Sequence, residues 1–130
     1  MNVIDIVDNP FPADAALKAL WQAAWGDQGP ASFQPILGRS LAHMGAYDVQ
    51  RLVGFVNVAW DGGVHAFILD TCVDRDYRRQ GIATRLVRAA TDAARAGGAQ
   101  WLHVDFEPQL AAFYRGCGFR DTAAGLIALT

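Results

Sequence analysis

Cysteine is nearly missing from this chain, with only Cys72 and Cys117 present, and that removes several classes of protein at once. Neither thiol stands in a C-x-x-C or similar ligand spacing, so no metal site is expected, and two thiols make no disulfide framework. Both are read as reduced and as small hydrophobes. Long apolar runs are missing too, since none approaches the roughly 18 to 20 residues needed to span a membrane. The segment Met1–Asp8 lacks a basic leader followed by an apolar stretch. These gaps predict a soluble, cytoplasmic protein with no membrane partner. Nor does one sign of charge prevail: 11 basic residues face 13 acidic ones for a formal net charge of -2. The basic residues are dispersed rather than blocked, which argues against a polyanion-binding surface and so against a nucleic-acid partner.

What the chain does have is apolar material, 52% of 130 residues. That suffices for one well-packed core and leaves little for a second, so a single domain over residues 1–130 is expected. Asn2–Val7 mixes polar and apolar residues up to Asn9-Pro10 and reads as a short first strand. Asp14 can cap a helix whose apolar positions Leu17, Leu20, Trp21 and Ala24 recur at helical spacing until Gly26 breaks it. A weaker helix from about Ala31 to Arg39 contains Pro35. Leu41–Tyr47 and Leu52–Trp60 read as a hairpin across Asp48–Arg51, and Val64–Val73 extends the sheet.

The pattern then changes period. From Gly81 to Ala96, Ile82, Leu86, Ala89, Ala90 and Ala93 form one stripe, with Arg85, Arg88, Asp92 and Arg95 opposite and Arg88 and Asp92 spaced to pair. Gly97-Gly98 ends that helix, Trp101–Phe106 is a strand, and Leu110–Cys117 is a helix stopped by Gly118. Strand, helix, strand, helix is the order of a parallel pair placed behind an antiparallel hairpin, which predicts a mixed α/β fold.

The chemistry centres on Arg78-Arg79-Gln80-Gly81-Ile82-Ala83, between the strand ending at Val73 and the long helix. A glycine there permits a tight turn and the small Ala83 a close approach, so N–H groups at the helix start can converge on a pyrophosphate. Arg78 and Arg79 add charged donors, and the helix dipole favours an anion at this end. The alternative is an ordinary turn with two solvated arginines. Other phosphate loops do not fit: there is no G-x-x-x-x-G-K followed by Ser or Thr, and no G-x-G-x-x-G.

The loop resembles the acyl-CoA signature Q/R-x-x-G-x-G/A of the GNAT superfamily of N-acetyltransferases, matched at Arg78, Gly81 and Ala83. About thirty residues later, Ala112-Phe113-Tyr114-Arg115-Gly116-Cys117-Gly118-Phe119 is similar to the superfamily's second hallmark, a Tyr beside an apolar residue and a helix end in Gly-Phe. The likeness covers roughly Phe67 to Phe119, while the N-terminal half matches only in element order. It implies a mixed, mostly antiparallel sheet flanked by helices, with the parallel fourth and fifth strands splayed apart. It also implies acetyl-CoA as co-substrate, held by Arg78, Arg79, Gln80, Gly81, Ile82, Ala83 and Thr84. The strand edge beyond Leu69 would offer backbone N–H groups near Cys72 and Val73 to the thioester carbonyl.

The implied reaction is transfer of acetyl to a primary amine, on a small molecule or a peptide, by direct attack in a ternary complex. Tyr114 then gives the departing thiolate a proton, for which a phenol titrating near 10 is suited. The amine needs a proton acceptor, and Asp70, His65, His103, Asp105 and Glu107 all stand on or beside the two strands. Asp105 and Glu107 rank first, because residues two apart in a strand share a side. Two departures stand out: many relatives carry Asn where Glu107 stands, and Phe67 occupies the neighbourhood where some carry a Glu base. An acyl-cysteine route through Cys72 or Cys117 has no histidine base implied nearby. Trp21, Trp25 and Phe33 read as core, and one left exposed could stack on a cationic amine. The rival readings are a non-catalytic acyl-CoA-binding or regulatory module and a domain for another nucleotide. The acceptor is open, as is oligomeric state, with edge strands that could pair two copies into a homodimer.

Overall fold

The computed structural model describes residues 3–130; Met1 and Asn2, the start of the expected first strand, lie outside the described residues. Five strands form one sheet in sequence order: β1 (Ile4–Asp8), β2 (Ala42–Asp48), β3 (Arg51–Trp60), β4 (His65–Val73) and β5 (Trp101–Val104). The first three pairings are antiparallel and the last, β4 with β5, is parallel. Four helices flank the sheet: α1 (Asp14–Trp25), α2 (Gln34–Leu37), α3 (Ile82–Ala96) and α4 (Ala111–Gly116).

The sheet separates two apolar clusters. On one side α3 buries Ile82, Leu86, Val87, Ala90 and Ala94 against Met44, Val53, Val56, Val58 and Ile68. On the other, Leu17, Leu20, Trp21 and Ala24 of α1 meet Phe33, Leu37, Leu52, Phe55 and Cys72. Each such aliphatic or aromatic side chain contributes on the order of 1.5–3 kcal/mol by leaving water. Close seating of α3 depends on Gly54, where a Cβ would come within 3.0 Å of Leu86 Cδ1 and 3.2 Å of Ala46 Cβ.

Several details depart from expectation for local reasons. Asp14 opens α1 without capping it: its carboxylate accepts from Ser32 Oγ, Phe33 N–H and Gln34 Nε2, tying the α2 approach to the start of α1. Gly26, left-handed at φ 79, ends α1 as expected. Pro35 does not interrupt α2 but sits in its first turn, where no N–H is needed. On α3, Asp92 pairs with Arg95 at 3.3 Å rather than with Arg88, and Arg85 instead reaches the Ile4 carbonyl at 2.8 Å. Strand β5 ends at Val104, two residues short of the predicted Phe106.

Candidate active site

Strands β4 and β5 pair only from His65↔Trp101 to Ile68↔Val104. Beyond that β4 runs on to Val73 paired with β3 but not with β5, so the two parallel strands part there. Inside the unpaired stretch β4 carries a bulge: Phe55 faces Cys72 and Asn57 faces Leu69, so Asp70 and Thr71 together stand opposite the single residue Val56. Asp70 takes a left-handed φ of 57° to make it, a conformation L-residues adopt at a cost and that Asp tolerates better than most.

The bulge decides which groups face the gap. Asp74 N–H donates to the Val53 carbonyl across β3 at 2.8 Å. Successive N–H groups of a strand alternate in direction, so Cys72 N–H also turns to β3 and Val73 N–H turns to the open side. Of the two donors expected near the thioester, the ladder therefore leaves Val73. Next to it Thr71 Oγ1 is buried, and its one polar neighbour is the Tyr114 phenol, at a geometry short of a well-formed hydrogen bond. It faces the Tyr114 phenol closely enough to pull that pKa down, but burial prevails and the phenol ends above its ordinary 10.0.

These groups line a cleft of about 680 Å³ that also takes in Trp25, Tyr77, Gln109, Leu110 and Phe113. Of the residues expected at a cofactor, Cys72, Val73, Arg78, Arg79, Gly81, Ile82, Ala83 and Thr84 all wall it, and Tyr114 does too; Gln80 is exposed in the loop and is not among the walls. Tyr114 is buried, stacked on Phe106 with ring centres 5.0 Å apart and edge-on to Phe113 at 4.9 Å.

The loop before α3 has the shape an anion needs. Arg79 (φ 64) and Gly81 (φ 77) are both left-handed, which turns successive amides to one side as a nest. Gly81 is the N-cap of α3, and no side chain caps those amides. Nothing lies within 4 Å of where a Gly81 Cβ would stand, so glycine is required by φ and not by space. Asp74 braces the approach, buried and paired to Arg51 at 2.9 Å while accepting from Asp76 N–H. Arg78 lines the cleft while its guanidinium also donates to the Ala24 carbonyl at 2.9 Å, at the end of α1.

The proton-acceptor candidates scatter. With β5 ending at Val104, the alternation that set Asp105 and Glu107 on one side no longer applies. Both are exposed, Asp105 lines a separate cavity, and Glu107 is in neither. His65 Nδ1 and His103 Nε2 bond each other at 2.9 Å, with His103 stacked on Phe67, at the paired end of the two strands. Asp70 sits in the bulge beside Thr71, has no hydrogen bond among the described residues, and is pushed above the ordinary carboxylate value by burial. Its charge and, more strongly, burial raise the Cys72 thiol far up, and burial raises Cys117, so neither is a ready thiolate. Trp21 and Phe33 are core, as expected, whereas Trp25 is 43% exposed at the cleft's rim. Thr71 is a site residue that sequence reasoning missed, and no motif marks it.

A mostly antiparallel sheet with one splayed parallel pair, opening onto an uncapped helix N-terminus, defines the acetyltransferase fold class. The sequence matches the family described as Acetyltransferase (GNAT) over residues 8–119, and the chain belongs to that family. Its structure is similar to a GNAT-family acetyltransferase from Streptococcus pneumoniae (25% identity, 98% of each chain, TM-score 0.84). It is also similar to glucosamine-6-phosphate N-acetyltransferase from Arabidopsis thaliana (14% identity, 97% of each chain, TM-score 0.78). A third likeness is to an aminoglycoside N-acetyltransferase in complex with CoA (15% identity, 100% of this chain and 96% of that one, TM-score 0.76). No curated protein sequence matches. Proteins of this family use acetyl-CoA, and the residues here fit it: a nest and a free helix end suit its diphosphate, and the unpaired β4 edge suits its amide-bearing arm.

Proposed function

We propose that the chain is an N-acetyltransferase that moves the acetyl group of acetyl-CoA to a primary amine in a ternary complex. The observation that carries this is the continuity of one cleft from the left-handed Arg79–Gly81 loop, past the unpaired Val73 N–H, to the buried Tyr114 phenol. Acetyl-CoA supplies an activated acyl group when bound; the chain supplies binding, orientation and proton handling. Amides of Gly81, Ile82 and Ala83 hold the diphosphate, with Arg79 adding charge. Val73 N–H donates to the carbonyl oxygen as it gains charge. A C–N bond forms to the amine as the C–S bond breaks. The amine's proton goes to Asp70, directly or through water, and the sulfur takes one from Tyr114, whose raised pKa keeps it protonated at neutral pH.

Asp70 replaces Asp105 and Glu107 in this reading because it alone among the candidates is both desolvated and next to a cleft residue. The high thiol pKa values of Cys72 and Cys117 favour direct attack over a covalent acyl-enzyme. The acceptor is a small amine or a peptide end, and Trp25 at the rim is placed to stack on a cationic one.

The test is Tyr114→Phe. Release of free thiol from acetyl-CoA with a panel of amines should slow by about 10²-fold or more, while CoA affinity by calorimetry stays within a few-fold. A wild-type chain that binds CoA but acetylates nothing would be the non-catalytic module instead. One stabilised by ATP or NAD and not by CoA would belong to another nucleotide.

A further inference from the structure

The bulge in β4 decides which face of the sheet Thr71 takes. Side chains along a strand alternate between its two faces. Phe55 and Cys72 pack with α1, whereas Val56, Val58 and Val73 pack with α3. Leu69 stands opposite Asn57, which lies between Val56 and Val58 and so on the α1 side. Two residues on, an unbroken strand would put Thr71 on the α1 side as well. The extra residue reverses this: Cys72 regains the α1 side opposite Phe55, and Thr71 falls on the α3 side. Tyr114 is there too, in the cluster that holds Val73 and Ile82. The left-handed φ of 57° at Asp70 is what the reversal costs.

Two hydroxyls meet there, and one arrangement uses both of their protons. Thr71 Oγ1 carries one O–H, is shut off from bulk water, and has the Tyr114 phenol as its one polar neighbour. The phenol carries one O–H as well. Given to Thr71, that O–H would leave the Thr71 proton with no acceptor and aim nothing into the cleft. With Thr71 donating to the Tyr114 oxygen, the phenol's own O–H is free to turn into the cleft that both residues line. Threonine is β-branched and stiff at χ1, so its hydroxyl keeps its aim. The rings of Phe106, Phe113 and Phe119 pack around Tyr114 and offer a phenolate no donor.

We infer that Thr71 is a positioning residue for acetyl transfer: its hydroxyl donates to the Tyr114 oxygen, which points the phenol proton at the leaving sulfur and keeps one hydrogen bond on the phenolate. This rests on the acetyltransferase reading above. As the C–S bond breaks, the sulfur takes the bonding pair and the phenol proton. Thr71 keeps its own proton, and the phenolate recovers one from water as the products leave. Hydrogen bonds at catalytic groups are commonly long in the free enzyme and tighten as charge develops, which suits a contact that falls short of full geometry here. The titration of the phenol agrees in direction: burial raises it most, the Thr71 hydroxyl lowers it and the Cys117 thiol raises it. The other ionisable groups around it are Asp70 on β4, Arg88, which acts on Cys117 from α3, and Cys72, Tyr77, Arg78 and Arg79 along the cleft.

Thr71→Val tests it, because valine keeps the branch at Cβ and removes only the O–H. Losing a buried and poorly bonded hydroxyl should leave the Tm unchanged or raise it. Acetyl transfer should fall about 10-fold or more in kcat, with KM for acetyl-CoA within a few-fold, and Thr71→Ser should recover most of the rate. Added to Tyr114→Phe, the same Thr71→Val should cost nothing further. A readout that needs no turnover comes from the full chain with isotope-labelled tyrosine, followed by NMR at Cζ. The resonance that is missing in Tyr114→Phe should titrate at higher pH in Thr71→Val than in wild type. A phenol titration that does not move overturns the inference, and so does an equal loss of rate from Thr71→Val with and without the Tyr114 hydroxyl. A wild-type chain that acetylates no amine, while the phenol titration moves as expected, overturns the acetyltransferase reading and the catalytic role with it, and leaves the contact itself established.

Discussion

Gly81 gives the sharpest way to separate what the phosphate loop needs from what the fold needs. The residue sits at φ 77, ψ 11 as N-cap of α3, with nothing within 4 Å of an added Cβ. Gly81→Ala therefore meets no steric wall; its penalty is the left-handed conformation, about 1–2 kcal/mol for an L-residue. Part of that is offset because alanine also narrows the unfolded ensemble by about 0.4–1 kcal/mol. A net loss near 1 kcal/mol follows, or a Tm lower by about 3–5 °C for a chain this size. Gly81→Asn should behave differently. Asn enters the left-handed region readily and is a good N-cap, so its Tm should stay close to wild type. Yet its side-chain oxygen would take an α3 amide that otherwise points at the diphosphate. Each amide–phosphate bond is worth about 1.5–3 kcal/mol, so losing one should weaken CoA binding roughly 10- to 100-fold. Differential scanning fluorimetry and titration calorimetry read the two effects separately. An alanine variant as stable as wild type, or an Asn variant that binds CoA normally, would refute the argument that this φ and these free amides make the site.

Two further outcomes follow from burial. Asp70→Asn keeps a side chain that tolerates φ 57 but removes a charge that burial disfavours. Because the folded pKa is raised, the native carboxylate costs stability above its ordinary 3.8. The variant should therefore have a higher Tm at neutral pH, with the gain vanishing below that value, while acetyl transfer drops by about 10²-fold or more; a variant that is destabilised at neutral pH or fully active would contradict this. His43 is buried, its Nε2 accepts Phe11 N–H at 2.9 Å, and burial lowers its pKa below 6.5. The unfolded chain takes up that proton first, so urea-unfolding free energy should be level above about pH 6.5 and fall below it, by at most about 1.4 kcal/mol per pH unit for one proton. His43→Gln, which keeps an acceptor, should flatten that slope, and an unchanged slope would move its origin elsewhere.

The sequence made the periodic and local features of this fold readable, and the long-range ones stayed hidden. The α3 helix, the α1 stop at Gly26 and the loop between β4 and α3 are each set by residues a few positions apart and fall where the pattern places them, although the buried stripe of α3 takes Val87 and Ala94 where Ala89 and Ala93 are expected. The partner of Arg78 in the fold, the Ala24 carbonyl, lies 54 residues away and has no local signature. Phe67–Val73 reads as one unbroken strand, so nothing in it announces the bulge at Asp70 and Thr71. The shared side expected of Asp105 and Glu107 needs β5 to run two residues past its end at Val104, and alternation holds only while pairing does.

The bulge has a physical reason for escaping such patterns. A strand that must open toward a ligand gives up ladder bonds, and the bulge that opens it forces Asp70 into a strained φ, leaves Thr71 Oγ1 with only a poorly formed contact to the Tyr114 phenol and puts a carboxylate where water is scarce. None of these choices helps the chain fold, so no rule that rewards folding predicts them. They persist because the helices on either side over-determine this edge: α3 from one face through Leu86 and Val87, α1 from the other through Leu20 and Trp21. If that is right, relieving any one of the three local costs should stabilise the chain and impair transfer together. Asp70→Asn is the first case in which both signs are read from one substitution.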